Sequence, residues 1–500
     1  MSKTSEKSIN RTGSDEHSLC VDNPRLIADI RELLDRENYM EQAIRAMAVS
    51  AGVRQATSQS SKDIDLADQP LLRLFLFAQP VERKVVRRVL KRTAMKQWIA
   101  AGLIEMKADM ILPLVRLRPF WGLIVAEDLD WISDAASKTN AVMGITGGTQ
   151  SLSKMTVRRR SRLTLDLGTG TGIQAMLAAD FSDKVIATDL NPRALDFARF
   201  NAQLNGISNI EFVEGDLFEP VEGKTFDLIV CNPPFAVSPD FRCLYRDNPM
   251  DDDEFVQRIV HEVPRFLRKD GYAQIICHWI QSEDQNWKNR IAAWFGQTGC
   301  DAWVLRWKTT DLSTYATTWL QGYDESDSDQ LRAKWMDYYE ARGIGSIGSG
   351  IISMRRSDNP RHWIRIDEAP PLLMQGCGEY IDRGFWLQDF LNARSDPSSL
   401  LDEVLYVIPQ ARLEQRVKPD RGRRRVTGAR LTLTRGLGYS VGIAPGIADI
   451  LLNCNAKLPL GRVLGDAAAR NGQELKDIVS QYLPGLRQLI ALGFLYPVPR

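Results

Sequence analysis

A glycine-rich turn between an apolar strand and a helix constrains the fold of this chain more than any other feature. Residues 163–168 read Leu-Thr-Leu-Asp-Leu-Gly, and further glycines follow at Gly170 and Gly172. Glycine lets the backbone pass close to a ligand, because it has no Cβ and adopts positive φ without strain. A strand, a turn of this kind and a helix are typical of α/β sheets that bind a nucleoside-containing cofactor.

The spacing of these glycines separates the turn from two phosphate-binding motifs. Gly168, Gly170 and Gly172 follow Asp166, whereas dinucleotide-binding turns have Gly-x-Gly-x-x-Gly and phosphate loops need a Lys-Ser/Thr pair. A carboxylate in the turn repels phosphate but suits the ammonium group of an amino acid. We therefore expect a cofactor with an amino-acid part; a tight turn without a ligand is the alternative.

Two further aspartates stand at the ends of predicted strands. Asp189 ends the strand 184–189, where a carboxylate can accept hydrogen bonds from both ribose hydroxyls. Asp216 follows the strand 210–215 and can accept a hydrogen bond from an adenine amino group. Each also has a structural interpretation, Asp189 as the residue that precedes a helix and Asp216 as a turn residue.

The run Asn232-Pro233-Pro234-Phe235 follows the strand 226–231 and carries the most specific signal. The two prolines fix the backbone and have no amide donors, so the carbonyl groups there face outward as acceptors. The Asn232 carboxamide oxygen and the Pro233 carbonyl can both accept hydrogen bonds from one NH2 group, and Phe235 offers a face for a flat base or amide. Prolines at a sheet rim otherwise only end a strand. With the cofactor turn, the run predicts methylation of a planar amine or amide nitrogen.

Strands and helices alternate from residue 138 to 357, which predicts a parallel, doubly wound α/β sheet. A last strand at 350–355 is expected antiparallel to the strand 302–307, with an insertion at about 309–345 between them. The other predicted strands of this sheet are apolar, and they are 163–168, 184–189, 210–215, 226–231 and 272–279.

The flanking parts are predicted to be α+β and winged-helix-like. Residues 1–22 are expected to be a disordered tail, and 23–137 an N-terminal helical, winged-helix-like domain. Its predicted elements share the order of that module: an amphipathic helix at 81–91, a helix from 93 to 102, and strands at 103–106 and 111–117.

The C-terminal domain, 358–500, is expected to end in a similar unit at about 440–500. Lys96–Ile104 aligns without gaps with Arg487–Leu495, so a helix is expected to run into a glycine stop and a strand at both ends of the chain. Two further helices are predicted at 445–453 and 460–470.

Composition limits the classes of function. Seven scattered cysteines without a Cys-x-x-Cys pair and four isolated histidines argue for reduced thiols and against a metal site. No apolar run approaches the ~18 residues that span a bilayer, and no secretory signal is visible, so a cytoplasmic location without membrane contact is expected. The net charge of +1 indicates no polyanion partner overall.

Three basic runs could bind a phosphate backbone locally: 83–92, Arg158–Arg160 and Arg421–Arg425. Charge runs are also solvated faces or docking sites for acidic proteins, and these alternatives stay open.

With these residues in view, the segment 140–357 resembles the class I S-adenosylmethionine-dependent methyltransferases with a Rossmann-like core. More narrowly it resembles their small-domain group with an Asn-Pro-Pro-Tyr/Phe motif, which includes release-factor glutamine N5-, ribosomal-RNA guanine-N2 and adenine-N6 enzymes. The resemblance implies cofactor-binding residues. The residues at the methionine part would be Asp166, Gly168, Thr169, Gly170 and Gly172. Asp189 would bind the ribose, and Asp216 and Leu217 would contact the adenine. The segment Thr149–Ser151 would cover the cofactor.

The resemblance implies an S-adenosylmethionine-dependent N-methyltransferase without a metal. Its acceptor would be a nucleobase of RNA or DNA, or a protein glutamine. Phe235 departs from the tyrosine that is usual in the glutamine enzymes. The alternative is a non-catalytic winged-helix regulator that senses S-adenosylmethionine, although such a sensor has no use for an Asn-Pro-Pro-Phe run. The sequence does not indicate an oligomeric state.

Overall fold

The computed structural model describes residues 19–56, 69–129, 140–239, 246–247, 250, 252–320, 325–370, 373–420 and 423–498. The predicted disordered tail lies outside these residues except at its last four positions. The side chains of the basic run Arg421–Arg425 lie outside them as well.

The N-terminal part packs helices around a small antiparallel sheet with the strand order β1-β3-β2 and a separate hairpin, β4–β5. Its elements are α1 (Pro24–Arg36), α2 (Tyr39–Ala56), β1 (Val81–Glu82), α3 (Arg83–Val86), α4 (Arg92–Ala100), β2 (Ile104–Lys107), β3 (Met110–Pro113), β4 (Val115–Phe120) and β5 (Leu123–Asp128).

The amphipathic helix predicted at 81–91 is wrong in extent, because only Arg83–Val86 is helical. Val81 and Glu82 instead pair with β3 as an edge strand. Val81, Val86 and Leu90 are fully buried, so the apolar periodicity arose from core packing. Pairing with a neighbouring strand overrode the local helical preference.

The central part is an eight-stranded sheet with the order β13-β11-β12-β10-β9-β6-β7-β8. Its elements are α5 (Gly147–Met155), β6 (Ser161–Leu167), α6 (Ile173–Ala179), β7 (Ser182–Asp189), α7 (Pro192–Leu204), β8 (Ile210–Glu214), β9 (Phe226–Cys231), α8 (Glu254–Phe266), β10 (Leu267–Gln281), α9 (Trp287–Ala293), β11 (Cys300–Asp311), α10 (Leu312–Trp319), α11 (Glu325–Ala341), β12 (Ser346–Arg356) and β13 (Ile364–Glu368).

The strand directions confirm the α/β class with a Rossmann-like core. Strand β6 pairs in parallel with β7 and with β9, so the strand order reverses beside it. Strand β12 runs antiparallel to β11, as the sequence predicted for 350–355, and also to β10. Strand β13 adds a parallel edge to β11, so the sheet continues beyond residue 357, where the domain boundary was predicted.

The C-terminal part joins two three-stranded sheets, with the orders β15-β16-β17 and β18-β14-β19, to a bundle of helices. Its elements are α12 (Cys377–Asn392), β14 (Val404–Val407), β15 (Ala411–Asp420), β16 (Arg423–Leu433), β17 (Ser440–Ile443), α13 (Pro445–Asn453), β18 (Asn455–Pro459), α14 (Leu460–Asn471), α15 (Leu475–Ala491) and β19 (Leu495–Pro497).

Glycine stops follow two helices that the sequence alignment paired. Helix α4 precedes Gly102 (φ 76°) and strand β2, and α15 precedes Gly493 (φ 71°) and strand β19. The winged-helix interpretation of both units stays a prediction. In the described part of the chain, no helix is both long and apolar enough to cross a membrane.

Helix α12 lies against the central part at two glycines. A Cβ atom at Gly378 would lie 1.8 Å from the carbonyl oxygen of Thr156, and one at Gly384 would lie 2.3 Å from the Trp303 ring. Trp303 belongs to β11 and shares one buried apolar cluster with residues of α12, α14 and α15. The C-terminal part therefore covers one face of the central sheet.

We expect Gly378→Ala to lower the free energy of unfolding by about 1–3 kcal/mol, because the new methyl group must displace a backbone carbonyl. Urea unfolding measures this change. Gly465→Ala in α14 is the matched control, since no described atom beyond its chain neighbours and the backbone of its own helix lies within 4 Å of its Cβ position. The control should raise the free energy of unfolding by up to about 1 kcal/mol, because alanine favours the helix. Equal effects of the two changes would contradict the close contact at Gly378.

Candidate functional site

A cavity of about 300 Å³ opens at the carboxyl ends of β6, β7, β8 and β9. The strand order reverses at β6, and such a switch point is where open α/β sheets bind ligands. The covering segment Thr149–Ser151 reaches the cavity only through Thr149. Apart from that segment, Gly172 and Phe235, all the predicted site residues line the cavity. They are Asp166, Gly168, Thr169, Gly170, Asp189, Asp216, Leu217, Asn232, Pro233 and Pro234.

The register of the sheet brings the motifs together. Leu167 pairs with Thr188 on one side and with Cys231 on the other. Gly168 is therefore flanked by the next residues of the two neighbouring strands, Asp189 and Asn232. Segments that are far apart in the sequence meet at one edge because parallel strands end there together.

The glycines of the turn have two different functions in the structure. Gly168 (φ 71°) and Gly170 (φ 55°) have no described atom within 4 Å of their Cβ positions, so the backbone is open towards the cavity. Gly172 was predicted to bind the cofactor, but it does not line the cavity. A Cβ atom there would lie 2.9 Å from the Cβ of Ala198, so Gly172 lets α6 begin against α7.

Asp166 is buried, and its carboxylate stabilises the turn. Its Oδ2 accepts hydrogen bonds from the Thr169 hydroxyl (2.6 Å) and from the Ala175 backbone amide (2.9 Å). Burial raises the pKa of Asp166 to about 7, although both hydrogen bonds oppose the shift. The charge of this wall of the cavity therefore changes near neutral pH.

Asp189 is held at both oxygens by backbone amides. Oδ2 accepts a hydrogen bond from Gly170 (2.8 Å) and Oδ1 one from Asn191 (2.9 Å). Burial raises the pKa of this carboxyl group above its usual range. Each oxygen has a second lone pair, so a ligand hydroxyl could still donate to it. Asp216 and Leu217 line the cavity beyond β8.

The side chain of Asn232 has an oxygen that makes no hydrogen bond with the described residues. Its side-chain Oδ1 is buried and has no partner among the described residues. A buried unpaired oxygen costs about 1–3 kcal/mol, and such exceptions in native proteins call for an explanation. The N-terminus of α5 lies beside it, because a Cβ atom at Gly148 would be 3.4 Å from this oxygen.

Phe235 lies in an aromatic cluster next to the cavity. Its ring centroid is 4.3 Å from that of His278 and 6.3 Å from that of Trp319. The His278 Nδ1 atom lies 2.8 Å from the Tyr315 hydroxyl. Desolvation, together with the charge of Lys308, lowers the pKa of His278 to about 3, so its ring is neutral at neutral pH.

His278, Trp319 and the segment Ala141–Gly144 were not among the predicted site residues, although the segment lines the cavity. His278 lies near the carboxyl end of β10. Because sites in α/β sheets lie at the carboxyl ends of strands, the sequence could have indicated this residue. Tyr315 and Trp319 come from α10 in the insertion, and no local pattern connects them to Phe235.

The basic run Arg158–Arg160 is partly used inside the protein. The Arg158 guanidinium lies 5.0 Å from the Trp121 ring, and Arg159 lies 3.6 Å from Asp382. Nucleic-acid contact at the basic runs stays a prediction. Within the described ranges, no group of three His, Cys, Asp or Glu side chains is placed to hold a metal ion.

Comparisons with known proteins match two parts of the chain. A family model described as methyltransferase small domain matches residues 142–300. A domain of unknown function (DUF7782) matches residues 378–497.

Relatives match the central part. A Methanocaldococcus jannaschii protein, provisionally named a protein N5-glutamine methyltransferase, is 36% identical over 141 residues, 27% of this chain and 71% of that protein. The release factor glutamine methyltransferase of Xylella fastidiosa strain 9a5c is 35% identical over 130 residues, 25% of this chain and 44% of that enzyme. A solved methyltransferase from Pyrococcus furiosus aligns with 48% of this chain and 91% of its own, with 17% identity and a TM-score of 0.30.

The fold, the cavity and these matches define an S-adenosylmethionine-dependent methyltransferase. The chain belongs to the small-domain group of the class I S-adenosylmethionine-dependent methyltransferases. The chain spans less than half the length of the Xylella enzyme. None of these findings supports the non-catalytic regulator.

We expect Asp166→Asn to stabilise the protein relative to wild type by an amount that grows as pH rises from about 4 to about 7. The folded-state pKa of Asp166 is raised to about 7, so the wild type binds an extra proton on folding in this window and loses stability as that proton leaves. The asparagine imitates the protonated form at every pH. Urea unfolding at pH 5, 6, 7 and 8 measures the difference.

The control for this series is Gly465→Ala, which removes no ionisable group and should shift the free energy of unfolding equally at each pH. A difference between Asp166→Asn and wild type that did not change with pH would contradict the raised pKa.

Proposed function

We propose that this protein transfers a methyl group from S-adenosylmethionine to the side-chain amide nitrogen of a glutamine in a protein. One observation carries the proposal: Asn232 lines the cavity, and its buried Oδ1 has no hydrogen-bond partner among the described residues. This oxygen can accept a hydrogen bond from an N–H group of the methyl acceptor. The names of the relatives support glutamine as the amide.

The residues at the cavity fit the cofactor. The Asp166 carboxylate suits the ammonium of the methionine part, and Gly168 and Gly170 leave room beside it. Asp189 can accept hydrogen bonds from the ribose hydroxyls, and its own bonds to backbone amides keep it in place. Asp216 and Leu217 would contact the adenine.

Asn232 and Pro233 would orient the acceptor. One N–H of the amide donates to Asn232 Oδ1 and the other to the Pro233 carbonyl, so the nitrogen is pinned with its faces directed away from both oxygens. Positioning of this kind removes most of the entropy cost of bringing two reactants together. The rigid Pro233-Pro234 backbone keeps the carbonyl from turning away.

The chemistry needs no strong base from the protein. When bound, S-adenosylmethionine supplies a methyl group on a sulfonium ion, which is already a good electrophile. The acceptor oxygens of Asn232 and Pro233 stabilise the positive charge that develops on nitrogen, and the proton leaves afterwards. Neutral His278, 4.3 Å from the Phe235 ring between centroids, adds no positive charge that would oppose this development.

A nucleobase is the second candidate acceptor. The aromatic cluster of Phe235, His278 and Trp319 beside the cavity favours it, because flat bases stack on such rings for about 1–3 kcal/mol each. An exocyclic amino group would use the same two acceptor oxygens.

We expect Asn232→Ala to keep cofactor affinity but to lower turnover on the order of 10²-fold, because it removes an acceptor that acts on the methylated nitrogen. Asp189→Ala should instead weaken cofactor binding. Calorimetry with S-adenosylmethionine and single-turnover assays separate the two effects. Exposed Asn289→Ala is the control and should change neither. The reverse pattern for Asn232 and Asp189 would overturn their assignments.

The acceptor is tested with methyl-labelled S-adenosylmethionine and separate protein, RNA and DNA fractions of cells. We expect label in protein, and acid hydrolysis should release it as methylamine, because hydrolysis of an N-methylated side-chain amide frees the amine. Label in RNA or DNA would replace glutamine by a nucleobase. Cofactor binding without label in any fraction would overturn methyl transfer and favour the sensor.

A further inference from the structure

One wall of the cavity comes from a short segment between the N-terminal part and α5. This segment, Ala141–Gly144, is called here the wall segment, and all four of its residues line the cavity. It contains no helix or strand, so its own backbone hydrogen bonds do not hold its shape. Its position must come from the groups that contact it.

Two buried carboxylates at the end of β5 make these contacts. Asp128 Oδ2 accepts a hydrogen bond from the Val142 backbone amide (2.9 Å), and Glu127 Oε2 accepts one from the Ile145 amide (2.8 Å). The side chain of Glu127 is fully buried, and that of Asp128 is 9% exposed. Buried charges are costly unless they are paired, and both of these carboxylates have arginine partners.

Glycine at position 144 permits the closeness of this contact. A Cβ atom there would lie 2.1 Å from Glu127 Oε2. The wall segment is thus pressed against the carboxylate, and any other residue at 144 would push the two apart.

One of these carboxylates, Asp128, also contacts α7, whose N-cap residue Asn191 lines the cavity. Asp128 forms a two-point ion pair with Arg193, which lies in the first turn of α7. Asn191, the N-cap of α7, donates from its side chain to the Asn140 carbonyl (2.9 Å) and from its backbone to Asp189 (2.9 Å). A continuous set of polar contacts therefore runs from β5 through the wall segment to the carboxylate proposed to hold the ribose.

Arginines complete the pairing of Glu127. Arg118 of β4 donates to Glu127 Oε1 (3.2 Å) and to the Ile145 carbonyl (3.3 Å), and Arg116 lies 4.0 Å from the same carboxylate. Hydrogen bonds to ionised groups are roughly twice as strong as neutral ones, so the hairpin β4–β5 and the wall segment form one unit.

We propose that Glu127 and Asp128 are positioning residues of the cofactor site, so that the N-terminal part of the chain is required to bind S-adenosylmethionine. They act through the wall segment and the start of α7, without contact to the reacting atoms. The inference rests on the proposed binding of S-adenosylmethionine in this cavity. It assigns to the N-terminal part a function in cofactor binding, whatever nucleic acid or protein that part also contacts.

The test compares Glu127→Gln and Asp128→Asn in the full chain. Each removes one charge with little change of shape, and each places an NH2 group among N–H donors. We expect the Kd for S-adenosylmethionine to rise at least about tenfold, the loss of about 1.4 kcal/mol, while kcat at saturating cofactor stays within about twofold. Hydrogen exchange of the Val142 and Ile145 amides, measured without cofactor, should become at least about tenfold faster, since each change removes a hydrogen bond.

A third variant, Gly144→Ala, keeps both carboxylates and displaces the wall segment from Glu127. It should also weaken cofactor binding, so the inference stays testable even where a charge change prevents folding. Leu90→Ala is the control for lost stability, because Leu90 is buried in the N-terminal core and is not among the polar contacts described. It should leave the Kd for S-adenosylmethionine within about twofold of wild type.

Unchanged cofactor binding in Glu127→Gln and Asp128→Asn, beside normal binding by the wild type, would overturn this inference alone. So would an equal loss of binding in Leu90→Ala, because the effect would then be one of general stability. A wild type that did not bind S-adenosylmethionine would overturn the proposed function, and this inference with it.

Discussion

The pairing of β6 with both β7 and β9 is the constraint on which the rest of the site depends. Leu167 pairs with Thr188 of β7 and with Cys231 of β9. A shift of either neighbouring strand by one residue would turn the side chains of that strand to the other face of the sheet. The positions of Asp189 and Asn232 beside the glycine turn therefore follow from the hydrogen-bond register. Neither residue needs to be held by a long loop.

Buried acidic groups lie at the carboxyl edge of the central sheet and on the hairpin β4–β5, which is hydrogen-bonded to α7. Burial raises the pKa values of Asp166, Asp189 and Glu127. Ionised forms of such groups reduce stability, and perturbed carboxyl groups of this kind cluster where proteins bind ligands. The Oδ1 atom of Asn232, which has no hydrogen-bond partner among the described residues, adds to the same cost. We interpret this edge as a place where stability is given up so that a positively charged ligand and an N–H donor are bound firmly.

Much of the fold could be predicted from the sequence because its signals are local. Apolar runs that end at Gly168 and Asp189 and just before Asn232 marked three strands of the central sheet. The failures have a common cause. Val81 entered a strand through pairing with a hairpin that is distant in the sequence. The wall segment and Trp319 reach the site through tertiary contacts, which no spacing in the sequence reveals.

The contact between α12 and Trp303 and the edge strand β13 both join the central and C-terminal parts of the chain, so they limit where its gene can be divided during evolution. The central sheet takes its last strand from residues 364–368 and has one face covered by a helix that starts at residue 377. A recombination event that cut the gene just after β12 would therefore separate the central sheet from its edge strand β13. It would also remove α12 and expose the Trp303 ring to water. We expect the two segments that family models match, 142–300 and 378–497, to have been inherited together.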